Sequence, residues 1–194
     1  MEEKNINPTE SLRIIEEMVN KAKNNYSDNS FYFIFWGWLA FIAAISQHFL
    51  IPIIGGQKSS MVWLLMPIGG VVSMIYGMKQ SKKQKVVSHI ESLIGFIWLG
   101  MGLGFVVLMT GMTQPNAANL LPMFTLLYAI GTFITGGVLK FKPLIIGGSL
   151  CFIICLLAFH SPISSQLLLL ALAVLVSYLI PGYMLRAKFK STHV

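Results

Sequence analysis

Few side chains in the apolar part of this chain could do chemistry, and its two cysteines are the first candidates. Cys151 and Cys155 are four residues apart, so they fall on one face of a helix. Two thiols one helical turn apart are poorly placed for a disulfide bond. The neighbouring sequence does not supply the roughly four ligands that a metal site needs. The pattern therefore predicts two small buried residues, and no metal or cofactor.

Three further residues are candidate functional polar groups. Glu91 is the one acid beyond the N-terminal segment, and it begins a predicted helix, where the positive end of the helix dipole stabilises an acid. The alternative is a polar group inside a cavity, because ionisable residues in membrane segments are functional candidates. His48 and His160 are predicted at the outer ends of two helices as interfacial residues. Alternatively, they converge with Gln47 in an external small-molecule or metal site.

Catalytic motifs are absent from the sequence. The chain has no HExxH metal motif, no GxxxxGK phosphate loop and no aspartate after Asp28. The paired acids of an intramembrane hydrolase and the Asp, Arg or His clusters of a lipid head-group transferase are missing too. We therefore expect a protein that is not an enzyme.

The elements that carry these residues are six apolar segments. A bilayer core of about 30 Å requires roughly 20 mainly apolar residues in a helix, and helices satisfy their backbone polar groups in hydrocarbon. The predicted segments are 31–51, 61–78, 89–110, 120–139, 143–159 and 166–185. We expect an all-α membrane protein whose transmembrane domain spans residues 31–185.

The basic residues predict the orientation of these segments. Thirteen of the fourteen Lys and Arg residues fall on one side, and Lys58 falls on the other. The thirteen are Lys4, Arg13, Lys21, Lys23, Lys79, Lys82, Lys83, Lys85, Lys140, Lys142, Arg186, Lys188 and Lys190. Short loops rich in Lys and Arg remain cytoplasmic, so both termini are predicted to be cytoplasmic. This side is expected to contact anionic lipids, and we expect no nucleic-acid partner.

The N-terminal segment, residues 1–30, predicts a short amphipathic helix. It is too polar for a cleaved signal peptide. Asn7 and Pro8 favour a helix start. An apolar stripe then recurs at helical spacing, formed by Leu12, Ile15, Met18, Val19 and Ala22. Because such a helix is marginal alone, we expect it to dock on its own bundle or a second subunit, on the lipid interface, or on a separate partner. Residues 186–194 form a basic cytoplasmic tail.

The same region carries a family resemblance. The run from Ser11 to Lys23, then Ser27-Asp28-Asn29 and Phe35-Trp36-Gly37-Trp38, resembles the opening of a group of uncharacterised small bacterial six-helix integral membrane proteins. The resemblance covers roughly the first 40 residues. It implies a location in the bacterial cytoplasmic (inner) membrane. The group has no assigned activity, so no functional residues can be transferred from it.

Small residues and one proline indicate how the helices pack. Gly100 and Gly104 form a GxxxG spacing, and Gly147 begins a small-residue stripe with the two cysteines. Thr132 and Gly136 have the same spacing in the fourth segment. Such residues predict close packing within the chain, or alternatively subunit dimerisation. Pro67 lies near the middle of the second segment, and interrupted helices are a feature of transporters.

These sequence patterns are compatible with two functions. The first is a scaffold or regulatory protein that acts through its N-terminal helix and basic cytoplasmic loops, with an unknown protein partner. The alternative is a small oligomeric transporter or channel for an apolar or amphipathic substrate. A scaffold predicts a packed apolar centre, whereas a transporter predicts a continuous polar or hydrated cavity between helices.

Overall fold

The computed structural model describes residues 29–81, 89–111 and 119–190, together with residue 13. Helices and the turns between them account for these ranges. Six of the helices are long and apolar enough to cross a membrane. For the described residues, the prediction of an all-α fold with six apolar helices is thereby confirmed, and helices of this length and composition suit a multi-pass membrane protein. The predicted N-terminal amphipathic helix lies outside the described residues.

The first two helices meet at a glycine. Helix α1 spans Asn29–Ile54. Helix α2 begins as Gly56–Ser59, continues as a 3₁₀ segment over Ser60–Leu64 and ends as Leu65–Ser81. Gly55 separates α1 from α2 with a φ of 80°, which is a left-handed conformation that glycine adopts without a steric cost.

The remaining helices follow in chain order. Helix α3 spans His89–Gly111, helix α4 spans Leu120–Val138, and helix α5 spans Lys142–Phe159. Helix α6 consists of Ile163–Val174, a π-helical segment over Leu175–Leu179, and Ile180–Lys190.

A tight turn joins α4 to α5. The amide N–H of Phe141 donates to the carbonyl of Gly136 over 3.0 Å, and Lys140 between them has a φ of 50°. This is the hydrogen-bond pattern with which a helix ends on a left-handed residue. Pro143 then occupies the first turn of α5, where its missing N–H costs no helical hydrogen bond. The short turn forces α4 and α5 to pack side by side.

Helices α1, α4, α5 and α6 pack into a four-helix core. Ala40, Ala43 and Ala44 of α1 are fully buried, as are Leu170 and Val174 of α6. The small alanine side chains let the backbone of α1 approach α6 closely, which is how membrane helices gain contact area. The core thus lies to one side of the molecule, because α2 and α3 contribute little to it.

Glycines bring α4, α5 and α6 into close contact. A Cβ atom added at Gly136 would lie 2.7 Å from the backbone nitrogen of Ile145. A Cβ at Gly147 would lie 2.7 Å from the carbonyl oxygen of Val176. Thr132 is fully buried one turn before Gly136. The predicted close packing at these positions within the chain is therefore confirmed.

The two cysteines are buried between α4 and α5, as predicted. Cys151 is 0% exposed and Cys155 is 3% exposed. The Cys151 thiol donates to the Thr125 carbonyl over 3.6 Å, and the Cys155 thiol donates to the Pro122 carbonyl over 3.3 Å. Both thiols are free, so they act as small packing residues.

Helix α3 departs from the packing expected of its GxxxG motif. A Cβ added at Gly100 would meet nothing within 4 Å, and one at Gly104 would be in ordinary contact with Leu127 at 3.5 Å. The side chain that packs closely is Met101, which lies against Gly131 of α4. Helix α3 therefore turns a different face to the core. The expected tight contact at Gly100 is absent from the described part of the chain.

Candidate functional site

A large cavity lies beside the four-helix core. Its volume is about 1130 Å³, and its wall contains residues of α1, α2, α3, α4 and α6. Helix α2 packs on α1, whereas α3 packs chiefly on α4, so α2 and α3 stand on separate sides of the cavity. Pockets for drug-sized ligands measure roughly 300–1,000 Å³. The cavity therefore has room for a molecule of that size or larger.

Aromatic rings from three helices form the deep wall of the cavity. Phe33 of α1, Trp98 of α3 and Tyr178 of α6 contact one another, with ring centroids 5.6–5.8 Å apart. Such tilted and edge-to-face pairs contribute about 0.5–1.5 kcal/mol each beyond their area burial. These three rings fix the position of α3 against the core at this level.

The aromatic wall continues along α4. The ring of Tyr128 lies 5.2 Å from that of Tyr178 and 5.2 Å from that of Phe105. Phe105 in turn lies 5.1 Å from Phe124. All of these residues line the cavity. The result is one unbroken aromatic surface contributed by α1, α3, α4 and α6.

Two methionines and a tryptophan form the side of the cavity nearest α2. Met61, Met66 and Trp63 line it, and the Trp63 indole N–H donates to the Gln47 side-chain oxygen over 2.6 Å. That hydrogen bond fixes Trp63 in place, while methionine side chains adapt to ligands of different shapes. This wall can therefore accommodate a range of apolar molecules.

An irregular helix segment places Tyr178 in the cavity wall. Tyr178 lies within the π-helical segment Leu175–Leu179, and π-helical turns occur frequently at functional sites. The Ser177 hydroxyl donates to the Ala173 carbonyl over 2.7 Å. Gly147 allows the α5 backbone to meet this segment at the Val176 carbonyl. Packing from α5 therefore supports the π-helical segment.

Hydroxyl groups are the principal polar features of the cavity. Tyr178 is 1% exposed, and its hydroxyl has no hydrogen-bond partner. The Thr132 hydroxyl interacts with it, but neither oxygen makes a well-formed hydrogen bond. The buried hydroxyl of Ser73, on α2, also lines the cavity without a partner. Leaving a buried polar group unsatisfied costs about 1–3 kcal/mol, and for Tyr178 the contact with Thr132 offsets part of that cost.

Charged groups are absent from the cavity wall, as far as the structure describes it. A charge buried without a partner is far more costly than an unpaired hydroxyl. The cavity therefore favours uncharged molecules over ions.

Each of the two candidate histidines lies against a backbone carbonyl. The Nδ1 atom of His48 lies 3.0 Å from the Ser164 carbonyl, and the Nδ1 atom of His160 lies 3.0 Å from the Leu156 carbonyl of its own helix. Gln47 is bound to Trp63 instead. In the described ranges, no cluster of three or more His, Cys, Asp or Glu residues could hold a metal ion. An external small-molecule site at His48, His160 and Gln47 stays a prediction.

The other candidate residues divide between the cavity and the rest of the molecule. Pro67 lines the cavity, three residues after α2 changes from a 3₁₀ to an α-helix. Gly102 also lines it, whereas its neighbours Gly100 and Gly104 do not. Glu91 belongs to α3, and its side chain lies outside the described part of the chain.

Sequence reasoning missed the aromatic wall. Trp98, Tyr128 and Tyr178 were not singled out, because each is one aromatic residue within an apolar segment. A usable signal exists in Tyr128 and Tyr178, which place hydroxyl groups inside helices that are long and apolar enough to cross a membrane. A polar group at that depth needs a partner or a function.

Comparisons with family models, with curated proteins and with solved structures found no match to this chain.

Proposed function

We propose that this protein is a bacterial inner-membrane transporter that binds an apolar or amphipathic molecule in the cavity beside its four-helix core, without catalysing a reaction. The observation that carries this proposal is the cavity of about 1130 Å³ with its aromatic wall. The wall is largely apolar, unlike the continuous polar or hydrated cavity that we expected of a transporter, so this volume supports transport only of an apolar or amphipathic molecule.

The chemistry of the wall supports the apolar or amphipathic substrate. A channel for ions or polar solutes requires polar or charged groups along its path. The cavity offers hydroxyl and indole groups among aromatic rings and methionines instead. A molecule already dissolved in the bilayer meets a similar environment there, and aromatic contacts then distinguish the cavity from bulk lipid.

Two features support the proposed orientation, with both termini in the cytoplasm. Tyr183, near the end of α6, accepts a hydrogen bond from Trp38 of α1 over 3.0 Å, so the start of α1 and the end of α6 lie at the same end of the bundle. At that end, the Lys188 ammonium lies 5.6 Å from the centre of the Phe141 ring. Basic residues there suit contact with anionic lipids of the cytoplasmic leaflet.

The scaffold function stays a prediction. It depends on the N-terminal helix of residues 1–30, which lies outside the described residues, and on an unknown protein partner. Assembly into a homo-oligomer is part of our proposal for the transporter, with the apolar lipid-facing surfaces of α2 and α3 available for it.

Tryptophan fluorescence quenching tests ligand binding directly. Trp36, Trp63 and Trp98 line the cavity, and Trp38 is the one tryptophan of the four that does not. The variant Trp38→Phe therefore leaves three reporters, all at the cavity. In lipid nanodiscs containing this variant, we expect a brominated long-chain alcohol to quench fluorescence saturably, above the linear quenching caused by partition into lipid.

Two glycines on α3 supply a matched pair of variants. A side chain at Gly102 would enter the cavity, whereas one at Gly100 would not, and neither position has an atom within 4 Å of an added Cβ. We expect Gly102→Phe to abolish saturable quenching and Gly100→Phe to retain it. Purely linear quenching in the protein without these changes would refute the proposed function.

A further inference from the structure

We infer that the cavity opens sideways between α2 and α3, and that the hydrocarbon chain of a bilayer lipid enters it through this opening. This inference rests on the proposed function, because it names the class of ligand and its route of entry. Only the chain enters, and the polar head group of the lipid remains outside the cavity.

The arrangement of the helices leaves one side of the cavity open. Its floor is the four-helix core, from which α1, α4 and α6 contribute Phe33, Phe124 and Tyr178. Its two sides are α2, which packs on α1, and α3, which packs chiefly on α4. No helix among the described residues covers the side opposite the core, because α5 packs on α4 and α6 and does not line the cavity. In a membrane, the uncovered side faces hydrocarbon.

Both sides of this opening carry exposed apolar side chains. Leu64 of α2 is 60% exposed and Val106 of α3 is 59% exposed, and both also line the cavity. Met61 and Met109 have the same two properties, on α2 and α3 respectively. Methionine side chains adapt to ligands of different shapes. The edges of the opening are therefore suited to contact with lipid chains.

Glycines widen the space between the two sides. Gly70 of α2 and the pair Gly95 and Gly102 of α3 line the cavity. A Cβ atom added at any of them would meet nothing within 4 Å. The missing side chains leave room along both helices, so an extended chain can lie directly against the backbone.

The length of the cavity suits a lipid chain. The cavity follows α3 from Ile94 to Met109, which corresponds to roughly 22 Å at about 1.5 Å per residue. One leaflet accounts for about half of a hydrocarbon core of about 30 Å, or roughly 15 Å. A chain that enters from one leaflet therefore fits within the cavity, parallel to the helices.

The volume of the cavity favours a chain over a helix from a second copy of the protein. A helix is about 10–12 Å wide with its side chains, so a length of roughly 22 Å occupies about 1,700–2,500 Å³. The cavity has a volume of about 1130 Å³, so a helix could enter it only in part. A hydrocarbon chain is much thinner than a helix and can enter completely.

The chemistry of the wall excludes the head group. Charged residues are absent from the wall in the described ranges. A phosphate or ammonium group inside would be buried without an opposite charge, at a far greater cost than an apolar chain. The head group of a lipid whose chain occupies the cavity therefore stays at the membrane surface.

Nitroxide labels at the edges of the opening test whether it faces lipid. The variants Leu64→Cys and Val106→Cys carry the label. Their controls, Ile68→Cys and Leu103→Cys, lie about one helical turn away at similarly exposed positions that do not line the cavity. Both native thiols are buried, so the label attaches to the added cysteine. In lipid nanodiscs, we expect all four labels to collide frequently with oxygen, which dissolves in hydrocarbon, and rarely with a water-soluble nickel chelate.

Two results of the labelling would overturn the inference. Rare oxygen collisions at Leu64 or Val106 would show that a second copy or another part of the chain covers the opening. Frequent collisions with the nickel chelate at these positions would show that the cavity opens to water.

Brominated lipids test whether a lipid chain enters. Nanodiscs are made from phosphatidylcholine with bromine atoms on one acyl chain, and the Trp38→Phe protein reports through its tryptophans at the cavity. We expect Gly102→Phe to reduce quenching by these lipids and Gly100→Phe to leave it unchanged, because only the side chain at Gly102 enters the cavity. Equal quenching in the two variants would overturn the inference, while saturable binding of the brominated alcohol would still support the proposed function. Absence of both effects would refute both.

Discussion

The contact between α4 and α5 makes a quantitative prediction about stability. A Cβ atom at Gly136 would lie 2.7 Å from the Ile145 nitrogen and 3.0 Å from the Leu144 carbonyl carbon. These are backbone atoms, so they cannot rotate away as a side chain can. Ordinary contact begins at 3.4 Å, and Gly136→Ala would therefore push the two helices apart by about 0.7 Å. A gap of this size forfeits a quarter to a half of the dispersion energy of the atoms concerned.

The adjacent residue provides the control for this variant. A Cβ at Gly137 would meet nothing within 4 Å, so Gly137→Ala should be neutral or stabilising by up to about 1 kcal/mol. Overpacking at Gly136 should cost about 1–3 kcal/mol. For a chain of this size, 1 kcal/mol corresponds to about 2–4 °C, so we expect Gly136→Ala to lower Tm by about 2–12 °C.

Thermal unfolding in detergent, followed by intrinsic fluorescence, measures this difference. Titration with sodium dodecyl sulfate checks it under conditions closer to equilibrium. Equal Tm values for Gly136→Ala and Gly137→Ala would refute the packing argument, because the two residues are neighbours on one helix and differ chiefly in what faces them.

Two other predictions concern the orientation and the N-terminal segment. A cysteine at Gln57, which is exposed in the first turn of α2, should react with a membrane-impermeant reagent in intact cells, whereas one at Lys142 should not. The reverse pattern would invert the proposed orientation. The double change Ile15→Asp, Met18→Asp should release the predicted N-terminal helix from the surface on which it docks, since burial of each such side chain contributes about 1.5–3 kcal/mol. Hydrogen exchange over residues 10–24 should then accelerate. Rapid exchange of those amides in the unmodified protein would show that the helix is not docked.

The sequence predicted the helices well because length and apolar content determine them. The predicted segment 120–139 compares with Leu120–Val138, and 143–159 with Lys142–Phe159. The stripe of Gly147, Cys151 and Cys155 was also interpreted correctly. In that helix, small residues at four-residue spacing leave one face on which two backbones can meet.

The cavity could not be predicted in this way. Its existence depends on α2 and α3 packing against different neighbours, which no local pattern determines. The GxxxG spacing of Gly100 and Gly104 indicates a smooth helix face but not what covers it, and α3 meets the core through Met101 and Phe105 instead. The π-helical segment around Tyr178 lies just before Pro181, whose missing N–H and bulky ring disrupt the helical hydrogen bond to the Ser177 carbonyl.

The position of Gly55 has a mechanical consequence. Helix α2 joins α1 at this one residue, which has a left-handed backbone and no atom within 4 Å of an added Cβ. Small rotations about its backbone bonds would tilt α2 as a lever, while the four-helix core keeps its shape. Entry of a molecule from the bilayer would then separate only the interface of α2 with α1. The close glycine contacts between α4 and α5 would stay intact.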